Sequence, residues 1–220
     1  MTWAADNLGL ILTLTAEHLR QSAPPILWGL LLALPLGWLA HRSRVLRGPI
    51  VVTTGLLYTL PSLALLPILP LVFGFSALSE ANLVVALTIY AVAILVRSVV
   101  DGLDSVDDDT RRSAVALGYG PARRFLAVEL PLAGPVILAG LRVAAVSTIS
   151  LATVGILIGV TNLGYLFTNG FQRRIVPEIL AGVVAVAVVA LVVDLVLQIL
   201  GRLLMPWTRA TLPLPAGAPA

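Results

Sequence analysis

An all-helical integral membrane protein is predicted here by three observations. Hydrophobic residues make up 59% of the 220 positions and charged residues only 11%, with a mean hydropathy of +1.01, whereas soluble domains are roughly 45 to 50% apolar. Five apolar segments are long enough for a hydrocarbon core that needs about 20 residues of helix. The basic residues, all 14 of them arginine, cluster between those segments and leave a net charge of only +3. That pattern orients a bundle in a membrane. It is not the basic stripe that nucleic acid requires, so no nucleic-acid partner is expected. The chain has no Cys, which removes disulfides, thiolate metal sites and Cys nucleophiles together.

The elements follow in order. Met1 to Asp6 lacks a basic n-region and no A-x-A-like cleavage site follows, so the start is expected to be retained. Leu8 to Leu19 mixes apolar positions with Thr13, Thr15, Glu17 and His18, which predicts an amphipathic helix within an extracytoplasmic or interfacial segment over 1–21. The transmembrane domain is expected over 22–205, with spans at Ala23 to Ala40, Val51 to Phe73, Ala81 to Val100, Leu132 to Leu151 and Ile179 to Leu200. Pro206 to Ala220 is Pro- and Ala-rich without an apolar period and reads as a disordered cytoplasmic tail.

Arginine placement sets the expected sidedness. Arg42, Arg44 and Arg47 follow the first span, Arg97, Arg111, Arg112, Arg123 and Arg124 separate the third from the fourth, and Arg202 and Arg209 follow the fifth. Only Arg20, Arg173 and Arg174 fall on the other side. The positive-inside rule then puts the N-terminus outside and the C-terminus in the cytoplasm, which requires an odd number of spans.

Interruptions inside the apolar segments carry further expectations. Pro24, Pro25, Pro35, Pro61, Pro67 and Pro70 lie in or beside the first two spans, which should therefore be kinked, packed and shielded from free lipid. Ala152 to Gly164, with Gly155, Gly159 and Gly164 around Asn162, is too broken for a span and predicts a re-entrant or short outer helix. Arg142 and Asp194 are the ionisable residues deepest in their spans, each ten positions from a cytoplasmic end. Ten positions correspond to about 15 Å of helix rise, which makes a structural ion pair possible. His18 and His41 fall outside the spans and read as solvated, and no cluster has metal-ligand spacing. Trp3, Trp28, Trp38 and Trp207 are spread toward span ends, which fits an interfacial belt better than an aromatic cage.

The longest polar island is 101–136. Asp101, Asp104 and Asp108 at i, i+3 and i+7 would share a helix face that could hold Mg²⁺ in a membrane lipid or diphosphate enzyme. The competing reading makes Asp107, Asp108 and Asp109 the capped, dipole-complementing start of a helix through Arg112 to Leu117. No basic cluster faces the run to receive a diphosphate, and the capping reading is favoured. That helix should stop at Gly118, which tolerates positive φ, with Gly120 as N-cap and Pro121 as first residue of the next helix. Ala114 and Ala116 keep the first helix slim enough for a groove.

Ser113-Ala-Val-Ala-Leu-Gly118, followed by Glu129-Leu-Pro131, resembles the cytoplasmic loop of the membrane subunits of binding-protein-dependent ABC importers, where a Glu-Ala-Ala-x-x-x-Gly motif and a later Leu-Pro mark the ATPase-coupling helix. Tyr58 to Leu65, Val128 to Arg142 and Gly159 to Gly164 resemble the glycine betaine, choline and osmoprotectant branch. Arg112 stands where the family has its motif glutamate, and Ser113 where it has the first alanine. The resemblance implies a five-span permease of the type I importer kind, with a coupling helix between the third and fourth spans, in a bacterial inner membrane. It implies coupling through Arg112, Ser113, Ala114, Ala116, Leu117, Gly118, Gly120 and Pro121, and a pathway or gate near Pro61, Ser62, Gly159, Asn162 and Gly164. The chain itself would be no enzyme and hold no cofactor. It has no Lys and no phosphate-binding Gly-rich loop, so ATP and Mg would sit on a partner ATPase. A second permease subunit, identical or not, and an extracytoplasmic solute-binding protein complete the implied assembly, and the binding protein would carry most of the choice of solute.

Overall fold

A computed structural model describes residues 2–209, and the described residues are helical almost throughout. After a short α1 (Thr2–Asp6), α2 runs unbroken from Leu8 to Arg42 over 35 residues. Then come α3 (Arg44–Thr59), α4 (Ser62–Phe73) and α5 (Glu80–Asp104). Two short helices, α6 (Asp108–Ala116) and α7 (Pro121–Arg124), lead through a π-helical turn at Phe125–Glu129 into α8 (Leu130–Ala152). A 3₁₀ segment at Thr153–Ile158 precedes α9 (Gly164–Gln172), and α10 (Val176–Leu204) ends near a 3₁₀ turn at Pro206–Arg209. The remainder of the proposed disordered tail, 210–220, lies outside the described residues.

Four helical stretches are long and apolar enough to cross a membrane, and α3 with α4 forms a fifth candidate bent by 114°. Ion pairs show how that bent pair counts. Arg20 of α2 meets Glu80 at the start of α5 (2.6 Å), and His41 at the end of α2 meets Asp104 at the end of α5 (2.6 Å). The two helices are therefore parallel and level at both ends. A chain leaving α2 at the Asp104 end must return to the Glu80 end before α5 begins, so α3 and α4 together make one crossing. Five crossings result.

The sequence expected an interfacial helix and then a separate first span; α2 joins them, continuing past Pro24, Pro25 and Pro35 although each lacks a backbone donor. Its amphipathicity is also inverted. His18, Gln21 and Ser22 are buried in protein while Leu8, Leu12 and Leu19 face outward. The prolines meet the expectation in the second span and not in the first. Pro24, Pro25 and Pro35 lie within continuous α2, and Pro35, Pro61 and Pro67 are exposed on this subunit. The break falls only at Leu60–Pro61, where Leu60 has extended backbone and Pro restricts its predecessor away from helix.

The core surrounds α5. Leu95, Val96, Val99 and Leu103 are wholly buried against Ala33 of α2 and Ala133, Ile137 and Ala144 of α8. Such contact needs small residues because lipid gives no hydrophobic drive for helices to associate. A Cβ added at Gly37 would lie 2.5 Å from Val99, and one at Gly140 would lie 2.1 Å from the Ser98 hydroxyl. Trp38 stacks obliquely on Phe125 near the Asp104 end, whereas Trp28 sits mid-helix and exposed, outside any end belt.

Candidate functional site

The polar island folds into a hooked arm at the Asp104 end. Asp107 caps α6 by accepting the Asp109 amide at 3.0 Å, and Asp108 and Asp109 fill its first turn. They also pair within the helix, Asp108 with Arg111 and Asp109 with Arg112, each at 2.7 Å. Asp104 belongs to α5 and is held by His41 and Arg47, so the acidic run is divided among separate local roles. Among the described residues no group of three or more His, Cys, Asp or Glu could hold a metal ion.

Gly118 closes α6 in the left-handed region at φ +81°. Its amide bonds to the Val115 carbonyl (2.9 Å) and the Tyr119 amide to the Ala114 carbonyl (3.0 Å). These two bonds make a Schellman motif, which only a residue without Cβ strain enters freely. Gly120 then caps α7 with extended backbone and Pro121 opens it. Along α6 the side chains divide by direction. Ala114 is buried toward the bundle, whereas Val115 and Leu117 are 53% and 77% exposed. Arg112, Ser113, Ala116, Gly118, Gly120 and Pro121 are exposed too. Val115 was not among the sequence-derived coupling residues; the Ala114–Ala116 pattern drew attention to slimness and away from the apolar tip between them.

The proposed pathway residues do not converge on one cavity. Pro61 and Ser62 stand at the 114° break, where the Tyr90 hydroxyl donates to the Leu60 carbonyl freed by the bend. Gly159, at φ +79°, borders a cleft of about 310 Å³ at the Glu80 end, with Glu17, Arg20, Gln21 and Glu80 among its other walls. Asn162 is fully buried instead. Its amide donates to Gln21 Oε1 (2.9 Å) and the Ala152 carbonyl (2.8 Å), while its Oδ1 accepts from the Gly164 amide (2.8 Å). Gly164 packs so that a Cβ would lie 2.1 Å from the Thr153 carbonyl. Asn162 and Gly164 thus satisfy backbone left open where α8 gives way to 3₁₀ geometry.

The structure brings Arg142 and Asp194 together in a bidentate pair at 2.7 and 2.6 Å. Their side chains remain 34% and 22% exposed, so this subunit alone does not fully enclose the pair. The two histidines correct the sequence reading. His18 is wholly buried with Nε2 2.9 Å from the Ile149 carbonyl, because the uninterrupted α2 packs it against the end of α8. His41 is paired with Asp104, not solvated.

Residues 26–210 match the family model for the binding-protein-dependent transport system inner membrane component. The chain belongs to that family. Relatives of this permease include the choline transport system permease protein OpuBB of Bacillus subtilis, 34% identical over 200 residues and 91% of each chain. The glycine betaine/carnitine/choline permease OpuCD of the same organism is 32% identical over 93% of this chain and 89% of its own. The osmoprotectant import permease OsmW of Salmonella typhimurium is 30% identical over 91% and 94%. An inward-facing MetNI methionine ABC transporter shares the fold, with a TM-score of 0.81 at 17% identity over 90% of this chain and 98% of that one. The permease is therefore a multi-pass inner-membrane transport subunit, not an enzyme, and the lipid or diphosphate reading of the aspartates has no support. Membership implies the ATPase, partner permease and solute-binding protein of such importers.

Proposed function

We propose that this permease conducts a quaternary ammonium osmoprotectant such as glycine betaine, choline or carnitine inward, driven by ATP and Mg bound to a separate ATPase. The observation that carries the reading is helix α6, capped at both ends and presenting Val115 and Leu117, 53% and 77% exposed among the described residues, beyond the bundle. An exposed apolar tip on a rigid, hooked arm fits a groove on a partner. The choice of solute class rests on OpuBB and OpuCD, named for choline and for glycine betaine, carnitine and choline, and on OsmW, named for osmoprotectants.

In this reading the Asp104 end is cytoplasmic. Arg42, Arg44, Arg47, Arg111, Arg112, Arg123 and Arg124 lie there, against Arg20, Arg173 and Arg174 at the other end, and five crossings leave the N-terminus outside and the C-terminus inside. Two permease subunits, identical or different, enclose the pathway between them. Pro61 and Ser62 at the bent span and Gly159 at the outer cleft border it.

Reconstitution with the partner ATPase and binding protein tests the function: ATP-dependent accumulation of labelled glycine betaine, choline or carnitine is expected. Uptake of none of the three by an ATPase-active complex overturns the solute class. Single cysteines at positions 44 and 111, placed in a chain without native Cys, test sidedness, and labelling of either from outside intact cells overturns it.

A further inference from the structure

The π-helical turn at Phe125–Glu129 adds a residue to one helical turn, as π-bulges at functional sites do, and rolls Glu129 into the protein. Its side chain is only 3% exposed. A carboxylate so placed needs charged partners, and it has two. Arg124 of α7 donates from Nε at 2.7 Å, and the Arg111 guanidinium of α6 lies 3.9 Å away. Arg111 is itself shared, donating to Asp108 at 2.7 Å and to the Leu103 carbonyl in the last turn of α5. Its buried Nε has no hydrogen-bond acceptor, so Glu129 is the nearest anion for that side of the guanidinium.

The chain joins α6 to α5 only through Ser105 to Asp107, and to α8 only through Gly118 to Glu129. Each joint could hinge. The cluster removes that freedom, since one carboxylate and two guanidiniums bind α5, α6, α7 and the π turn to each other. On its other side the last turn of α5 is gripped through Asp104, by His41 of α2 and Arg47 of α3. We infer that Glu129 is a positioning residue which, with Arg111 and Arg124, locks α6 onto the end of α5, so that displacement of α6 by an ATPase moves α5 and, through Asp104, α2 and α3. The inference rests on the coupling role proposed for α6 and adds residues that lie outside its exposed tip.

Glu129→Gln keeps shape and an acceptor oxygen for Arg124 but loses the charge that holds two guanidiniums. In the complex reconstituted with ATPase and binding protein, the variant should assemble normally and hydrolyse ATP. Solute moved per ATP hydrolysed should fall about tenfold, the scale of a typical coupling free energy between sites. Adding Arg111→Gln to Glu129→Gln should cause little further loss, because members of one network are not additive. Arg124→Gln, measured alone in the same way, gives a second reading should Glu129→Gln insert poorly. Wild-type coupling in these variants, full additivity, or less assembled complex with unchanged solute per ATP would overturn the lock, the last outcome marking a stabilising role only. A wild-type complex without ATP-driven uptake would overturn the transport function itself, which separates the two failures.

Discussion

Helices α5 and α10 are both apolar spans, yet 61% of the residues in the most apolar stretch of α5 are buried within the subunit and only 17% of those in α10. The more hydropathic of the two, α10 at 2.9 against 2.4, is the less buried. Hydropathy reports compatibility with lipid, which both share. Burial follows from close packing, and there the helices differ. Small residues on α2 and α8 let backbones approach α5, at Gly29, Gly37 and Gly140 among them. Val184, Val188, Leu191 and Leu195 of α10 face outward and are exposed among the described residues, which suits acyl chains or a second subunit equally well.

The largest effect should come from closing the approach to α5. Gly37→Leu should destabilise the permease by about 3 kcal/mol or more, the upper range for overpacking, and leave little protein surviving mild heating in detergent. Val188→Leu on α10 should survive as wild type does. Equal survival of the two would break the comparison. Next, Asn162→Ala strips three buried hydrogen bonds from the joint between α8 and α9. It should cost about 1 to 3 kcal/mol and raise amide hydrogen exchange over 153–164 while α5 stays protected.

Gly118→Val comes third. Positive φ strains a β-branched residue by about 1 to 2 kcal/mol, and no neighbour lies within 4 Å of the site to add a clash. The spans should insert normally while uptake falls, which would place this residue's role outside the packed core. The smallest effect is expected at Arg142 and Asp194, half-exposed between α8 and α10. Each single change to Ala should lower membrane yield modestly and the double change should recover it, read by quantitative blotting. Two singles indistinguishable from wild type would show that α10 does not depend on this pair.

Much of this was legible in the sequence, for physical reasons that differ by element. The Gly118 turn and the Asp107 cap were readable because φ strain and orphan amides are local properties. The five apolar segments were readable because lipid imposes a minimum length. The burial of His18 was not, since polar residues on an apolar helix look solvated until a second helix is known to cover them. Glu129 was quoted within a motif but given no role, because its partners Arg111 and Arg124 are brought to it by a π turn that no periodicity announces. The proline readings divide for a related reason: Pro61 marks the 114° bend of the second span, whereas Pro24, Pro25 and Pro35 leave α2 one continuous helix, because neighbours and local geometry decide whether a missing hydrogen bond breaks a helix.

At 1.5 Å per residue, the 35 residues of α2 measure about 52 Å, while a hydrocarbon core is about 30 Å thick. Counting back from Arg42, lipid accommodates the helix to near Ser22, and the preceding turns stand clear as a mast. His18 and Gln21 at its foot hold the Ile149 and Thr161 carbonyls, and Trp3 beyond its tip packs on the cluster that joins α9 to α10. One continuous rod therefore fixes the height of the Glu80 end of the bundle against the Asp104 end. Any motion that opens one end is carried along that rod toward the other, and the turns around Pro24, Pro25 and Pro35 are where it can flex.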